Sequence, residues 1–502
     1  MGQYVMGIDN GGTNTKCVIF HLHGEEIASA GERVPVSEPH KGWVERDMQT
    51  IWECNAGLIR KVIKKAGISA KDIVGIGITG YGNGICLVDA DGEPVYPAIV
   101  SSDSRAGALC QRLREEGVEG QIYPFTHQEF WEAQTAVLMV WMKENKPDVL
   151  DQAASVFSIK DYIRMKLTGR RCYELTEATC SGLMDIHSNT FDERIFKALG
   201  LEAYQSLMPE HTGVFEISGR VTKEAAAVTG LVEGTPVAGS CYDVNACALG
   251  SGILDDDTLC MVAGTWSINE VLTKELIEGA NSIARSFHPD YFIMEESSPT
   301  SASNFEWFVE NFLEAGRTAS DRAAIYEECN RAVDSVRPED SDVIFIPYLY
   351  ASSTNPDAEA AFFNLKSVNK REHMLRAVYE GVLFSALLHI KRLKACGRTF
   401  SRVKLSGGIA RSEVWAQMAA DMLQIPVEVS EALEPGALGA AMCAAIAAGK
   451  YKGLEEASKA MVNIRKVYRP DGERKEIYRK KYERFERALK ALDFFYGGEG
   501  EI

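Results

Sequence analysis

The chain opens on apolar runs, Tyr4 to Ile8 and Cys17 to Phe20, that flank the polar string "DNGGTNTK". This pattern predicts two strands joined by a turn. Strand-like pieces continue through "LHGEEIASAGERVPV", and "GWVERDMQTIWECNAGLIRKVIKKAG" then turns helical. There Met48, Ile51, Trp52, Ile59, Val62 and Ile63 recur near the helical period, Asp47 stands at the N-cap and Gly67 closes the element. The run "DIVGIGITG" reads as a strand, "NGICLVDADGEPV" as another with an Asp-Gly turn, and "TAVLMVWMKEN" and "SIKDYIRMKLTG" as helices, the second ended by Gly169. Short strands and a helix return between Ser218 and Val237. Strands alternating with helices predict an α/β domain with helices packed on a sheet.

Gly75, Gly77 and Gly80 spell GxGxxG, but they lie inside the predicted strand, and another strand follows where a dinucleotide site needs a helix. Close approach of another backbone to the sheet is the better reading of Gly75 and Gly77.

Residues 258 to 272, "TLCMVAGTWSINEVL", repeat the opening design, so each half of the chain begins with a polar hairpin. Glycines let backbone N–H groups converge on a phosphate, hydroxyl side chains add donors, and a nearby carboxylate can hold magnesium. Just before the second hairpin, Asp243 follows a strand and precedes the small-residue run "NACALGSG". A carboxylate at a helix start stays ionised and can take a proton from a hydroxyl; an N-cap role is the alternative. Further on, "RVKLSGGIARSEVWAQMAADML" gives strand, Gly407-Gly408 turn and helix, an arrangement that lets a flat ring lie against backbone. The last segment, "IYRKKYERFERALKALDFF", has an apolar stripe with a basic far side and predicts a surface helix docked on the second domain.

Composition narrows the function. A chain of 502 residues exceeds what one core serves, so two domains are expected. The net charge of -17 argues against phosphate-backbone binding, hence against nucleic acid as a partner, and against an anionic membrane surface. No signal peptide or membrane span is visible at the start, and no HExxH or GxxxxGK[ST] motif occurs. The 12 cysteines are scattered without a CxxC pair and read as buried thiols of a reducing cytoplasm.

Taken together, these segments resemble the FGGY carbohydrate kinases, members of the sugar kinase, Hsp70 and actin superfamily. "GIDNGGTNTK" is similar to the first phosphate motif, with Asp9 in the place of the magnesium carboxylate and Gly11, Gly12, Thr13 and Asn14 at phosphate-contacting positions. "PHKGWVERD" is similar to the segment leading into the first helix. "GYGNGICLVDADGEPVYPAIVSSDSRA" looks like the sugar segment, with Asp103 and Arg105 at its Asp-x-Arg positions and Gly82, Asn83 and Trp131 as further sugar-site candidates. "GTPVAGSCYDVNACALGSG" resembles the segment that carries the catalytic base, which falls on Asp243, also a candidate metal and substrate contact. "MVAGTWSIN" resembles the second phosphate motif, with Gly264 and Thr265 at its core, and "LSGGIARSEVWAQMAADMLQIPVEV" the adenosine motif, with Gly407, Gly408 and Arg411.

The resemblance implies an α/β fold of two ribonuclease H-like domains with a nucleotide cleft between them. The sugar-binding N-terminal domain would span 1–247 and the ATP-binding C-terminal domain 248–502. It implies an enzyme that uses ATP and Mg2+ to phosphorylate a small sugar or polyol, with a homodimer among the possible assemblies. Where many D-xylulose kinases carry Met-His and Trp-Asn, this chain has Gly82-Asn83 and Ser101-Ser102. "SSDSRA", "ESSPTSASNFEWF" and "FIPYLYASS" look closest to L-xylulose kinases within the family. Kinases of erythritol, D-xylulose, ribulose or glycerol are the alternatives, and an actin-like or Hsp70-like ATPase without a sugar is a more distant one.

Overall fold

The computed structural model describes residues 3–264, 266–276, 283–288, 291–314, 321–352, 355 and 357–497. The chain packs as two units. The first comprises Met1–Leu254, Leu272–Met294 and Ala432–Asn463, and the second Asp255–Val271, Glu295–Glu431 and Ile464–Ile502.

The strands of the first unit that matter here are β1 (Tyr4–Asn10), β2 (Thr15–His21), β3 (Glu26–Glu32), β4 (Glu45–Arg46), β5 (Ile73–Gly80), β6 (Ala98–Ile99), β7 (Ile217–Arg220) and β8 (Pro236–Ala238). Six of them form one sheet in the order β7-β8-β5-β1-β2-β3. β1 and β2 are the expected hairpin, closing with Asn10 opposite Thr15. β1 and β8 both run parallel to β5, so the C-terminal ends of three parallel strands meet at one edge of the sheet. Ligands of open α/β sheets bind at such an edge.

Helix α1 (Met48–Ala66) covers the sheet as its periodicity predicts. Asp47 Oδ1 accepts from Thr50 N at 2.7 Å, Gly67 ends the helix at φ 65°, and Ile51, Trp52, Leu58, Ile59 and Val62 are buried. Each such apolar side chain contributes about 1.5–3 kcal/mol when enclosed. The other helices that matter here are α2 (Thr135–Asn145), α3 (Ile159–Thr168), α4 (Leu175–Cys180), α5 (Asp243–Ser251) and α6 (Pro435–Ala447).

The opposite face of the sheet explains its glycines. A Cβ at Gly7 would lie 1.9 Å from Ala437 O, one at Gly77 1.8 Å from Ala440 O, and one at Gly75 3.0 Å from Ala444 O. The backbone of α6 therefore rests directly on β1 and β5, and GxGxxG here is a packing surface. α5 and α6 touch in the same way, since a Cβ at Gly439 would come within 1.9 Å of Ala246 O and one at Gly250 within 2.0 Å of Pro435 O.

Beneath the edge, α3 and α4 are tied by enclosed charges. Lys160 Nζ lies 3.0 Å from Glu174 Oε2 and 3.3 Å from Asp161 Oδ1, and Arg164 Nη2 lies 2.5 Å from Asp161 Oδ1. Glu174 also accepts from the N–H groups of Thr176 and Glu177, capping α4. All 12 cysteines are free thiols, most of them buried, as their scatter suggests.

The second unit contains β9 (Thr258–Ala263), β10 (Ser267–Thr273), β11 (Arg402–Gly407), β12 (Val427–Ser430) and β13 (Ile464–Tyr468), in the order β10-β9-β11-β12-β13. β9 and β10 form the second polar hairpin, and β9 runs parallel to β11 with Ala263 opposite Gly407. The C-terminal helix α7 (Lys475–Phe495) docks through enclosed charges: Lys481 Nζ lies 2.5 Å from Glu380 Oε2, Arg376 Nε 2.8 Å from Glu380 Oε1, and Arg376 Nη2 donates to Tyr478 OH at 2.7 Å. Among the described residues no helix is long and apolar enough to cross a membrane.

Candidate active site

The three strand ends of the first unit deliver three segments. After β1 comes the turn Gly11–Asn14, in which Gly12, Thr13 and Asn14 are exposed. Its base is pinned from α1, where Asn55 Nδ2 donates to Asn10 Oδ1 at 2.8 Å, and from β4, where Arg46 Nη2 donates to Gly12 O at 2.5 Å. The Arg46 guanidinium also lies 5.5 Å from the Tyr81 ring centre.

Asp9 stands at the root of this turn. Its Oδ1 is enclosed with no partner among the described residues, and a Cβ at Gly436 would come within 2.8 Å of Oδ2. Burial pushes the Asp9 carboxyl up to about 6, Lys16 pulls it down and Glu434 adds to the rise; Lys16 and Glu434 pair at 2.6 Å.

Arg46→Ala frees the Gly12 carbonyl and loosens the turn. On the phosphate role that the resemblance implies for this turn, we expect the KM for ATP to rise by about tenfold, the size of one charged hydrogen bond, with Arg46→Lys intermediate; an unchanged KM in a variant of wild-type Tm would refute the pinning role.

After β5 come Tyr81, Gly82 and Asn83. A Cβ at Gly82 would lie 1.5 Å from Cε2 of Tyr242, so the loop passes flat against that ring. Asn83 takes φ 60°, and its N–H donates to Glu177 Oε1 at 2.6 Å.

Asp103 and Arg105 form an enclosed fork. Asp103 Oδ1 accepts from Arg105 Nε, and Oδ2 from Arg105 Nη2, both at 2.9 Å, while Val44 N donates to Oδ2 at 2.6 Å. Arg105 also reaches Glu45 Oε1 at 2.9 Å and lies 4.3 Å from the Trp43 ring centre, leaving Nη1 without a partner among the described residues. Asp103 thus orients Arg105 first, and Arg105 retains a donor. Trp131 is half-buried just before α2.

After β8, Asp243 is the first residue of α5, and Tyr242, not Asp243, occupies the N-cap. Thr176 Oγ1 holds Tyr242 N at 2.9 Å, Thr79 Oγ1 donates to Cys241 O at 2.6 Å, and Arg285 lies 4.4 Å over the Tyr242 ring. The backbone leading into Asp243 is therefore fixed from β5 and α4, and the Asp243 Oδ1 accepts from Val244 N at 2.7 Å.

In the second unit Gly264 forms the β9–β10 turn, its N–H donating to Trp266 O at 3.1 Å; Thr265 lies outside the described residues. Gly407 takes φ 86°, and a Cβ there would lie 2.5 Å from Ala263 O. Gly408 and Arg411 are exposed at the following short turn.

Sequence reasoning passed over Arg46, Asn55, Glu177, Gln134 and Arg285. Only Asn55 left a signal, a polar residue on the buried stripe between Ile51 and Ile59.

The N-terminal domain of the FGGY family of carbohydrate kinases matches residues 4–250, and its C-terminal domain matches residues 259–448. The chain belongs to the FGGY family of carbohydrate kinases. It is 34% identical over 501 residues to the L-xylulose/3-keto-L-gulonate kinase of Escherichia coli (strain K12), covering 99% of this chain and 98% of the relative. It is 33% identical to a probable L-xylulose kinase of Pasteurella multocida (strain Pm70), covering 98% and 99%. Among solved structures, the xylulose kinase of Rhodospirillum rubrum superposes with a TM-score of 0.88 at 26% identity, covering 98% of this chain and 99% of that one. This FGGY kinase is accordingly an ATP-using sugar phosphotransferase of the actin, Hsp70 and sugar kinase fold.

Proposed function

We propose that this FGGY kinase transfers the γ-phosphoryl group of ATP to a terminal hydroxyl of a pentulose, with L-xylulose as the first candidate. The observation that carries the reading is the meeting, at one sheet edge, of the Asp9 turn, the Gly82-Asn83 loop and the Asp243 carboxylate. The choice of sugar is supported by the names of the Escherichia coli and Pasteurella multocida relatives and by the Gly82-Asn83 and "SSDSRA" segments.

Asp243 takes the proton of the terminal hydroxyl as that oxygen attacks the γ-phosphorus and the bond to the β-phosphate oxygen breaks. Phosphoryl transfer asks for positioning and charge stabilisation more than covalent help, which a clamped turn and a fixed carboxylate supply. Arg105 Nη1 donates to a sugar oxygen, with Asp103 and Glu45 holding its plane, and Trp131 covers the sugar. The N–H groups of Gly11, Gly12, Thr13 and Asn14 serve phosphate oxygens. In the second unit we assign Gly264 and Thr265 to phosphate and Gly407, Gly408 and Arg411 to the adenosine. The enclosed, unpartnered Oδ1 of Asp9 fits a magnesium ion, which Asp9 and Asp243 would hold and which neutralises phosphate charge when bound. The free thiols fit a reducing cytoplasm.

A coupled ADP-release screen over pentuloses, hexuloses and polyols tests the proposal. L-xylulose should give the highest kcat/KM. ATP hydrolysis indifferent to every ketose and polyol would overturn the reading, and a better hexulose or polyol would move the substrate.

A further inference from the structure

Sugar oxygens that do not react must still be read, and the three strand-end segments supply few groups for the purpose. Behind the Gly82-Asn83 loop, α4 presents a second set. Glu177 Oε1 accepts from Asn83 N at 2.6 Å, while Glu177 Oε2 is enclosed with no partner among the described residues. Asn83 turns its amide nitrogen to Cys180 Sγ at 3.1 Å and leaves Oδ1 enclosed and unpartnered among the described residues. Gln134 does the same, its Nε2 reaching Cys180 O at 3.5 Å while Oε1 finds no partner among the described residues. Gln134 is held there by Gly182, where a Cβ would lie 3.0 Å from the Gln134 amide.

Three buried side chains, Asn83 and Gln134 on Cys180 and Glu177 on the Asn83 N–H, thus hold one polar oxygen apiece in reserve. Enclosed polar atoms are nearly always paired, and three exceptions side by side point to a ligand that completes them. Their position is joined to the reacting end. Thr176, the neighbour of Glu177, holds the backbone of Tyr242, and the Tyr242 ring packs on Gly82, the neighbour of Asn83.

We propose that Glu177, Asn83 and Gln134 form the specificity end of the ketose subsite, with Glu177 Oε2 donating to one sugar oxygen and the two amide oxygens accepting from sugar hydroxyls. This rests on the sugar-kinase reading above. Burial, helped by Asp161 and Glu174 and opposed by Lys160 and the Asn83 N–H, pushes the Glu177 carboxyl up to about 8, which favours its protonated form near neutral pH. Oε1 is occupied by the Asn83 N–H, and the proton belongs on Oε2. One donor beside two acceptors suits a polyhydroxy ketone, and an uncharged carboxyl suits a neutral sugar.

The test uses the full-length enzyme, with Glu177→Gln, Glu177→Leu and Gln134→Leu assayed on the best ketose and on its singly deoxygenated analogues. Glu177→Gln keeps both an acceptor for Asn83 N and a donor, so its ketose KM should stay within about threefold of wild type. Glu177→Leu and Gln134→Leu should raise the ketose KM by about tenfold or more, the size of one lost buried hydrogen bond, with kcat and the KM for ATP little changed. One deoxy analogue should be penalised by wild type and carry no further penalty with Gln134→Leu, a coupling that a structural role would not produce. Should Glu177→Leu fail to fold, Gln134→Leu decides alone, because the hydrogen bond it removes, Gln134 Nε2 to Cys180 O, is a long one at 3.5 Å. An unchanged ketose KM in Gln134→Leu, or equal deoxy penalties in every variant, overturns the proposal. A wild-type enzyme that phosphorylates no ketose or polyol overturns it too, and places the fault in the underlying reading.

Discussion

Asp243→Asn lowers kcat for the best ketose by about 10²–10⁴-fold, the range of a general base, while the KM for that ketose moves by less than about threefold. The fold has little reason to respond. Asp243 is not the N-cap of α5, and the bond that its Oδ1 accepts from Val244 N at 2.7 Å is one that an asparagine oxygen also accepts. Tyr242 keeps its hold on Thr176, and the turn after β8 keeps the Thr79 hydroxyl. What the variant loses is a group that can take a proton and carry charge beside the turn proposed to bind phosphate. Sugar-dependent ADP release together with a thermal melt separates the two effects. Turnover near wild type in Asp243→Asn would remove Asp243 from the base role and leave the hydroxyl's proton without an acceptor in the proposed mechanism.

The edge of the first sheet was legible in the sequence because its chemistry is local. A carboxylate, two glycines and hydroxyl or amide side chains fall within one strand turn, and Asp243 falls within one strand–helix junction. The same locality made α1 and the second hairpin readable. Contacts between distant segments left no such trace. Glu177 sits in "YELTEATCSG", where neither periodicity nor neighbours mark it as enclosed, and only the fold sets it against Asn83, 94 residues away. The resemblance assigns Asp103 and Arg105 to the sugar segment, but that Asp103 spends both oxygens on Arg105 and Val44 requires the side-chain geometry. Helix α6 was the least legible element. It is apolar all round, so the stripe that orients a surface helix is missing, and its membership of the first unit follows from backbone contacts with β1, β5 and α5.

Those backbone contacts give the second large effect. Gly77→Ala puts a methyl group 1.8 Å from Ala440 O in the middle of α6, where neither the strand nor the helix has a flexible side chain to move aside. Overpacking of this kind costs about 3 kcal/mol, which in a unit of this size corresponds to a Tm lower by roughly 5 °C. Gly12→Ala is the matched control: a Cβ there meets nothing within 4 Å and Gly12 is not among the glycines of positive φ, so its Tm should remain that of wild type. Its effect should instead be kinetic, a KM for ATP higher by about tenfold, because a methyl group would stand where the turn's N–H groups approach phosphate oxygens. Differential scanning fluorimetry and ATP titrations on the two variants separate glycines that let backbones touch from glycines that let a ligand touch backbone. A Gly77→Ala enzyme as stable as wild type would mean that α6 does not rest on the sheet as described. A Gly12→Ala enzyme with an unchanged KM for ATP would move the phosphate away from the opening turn.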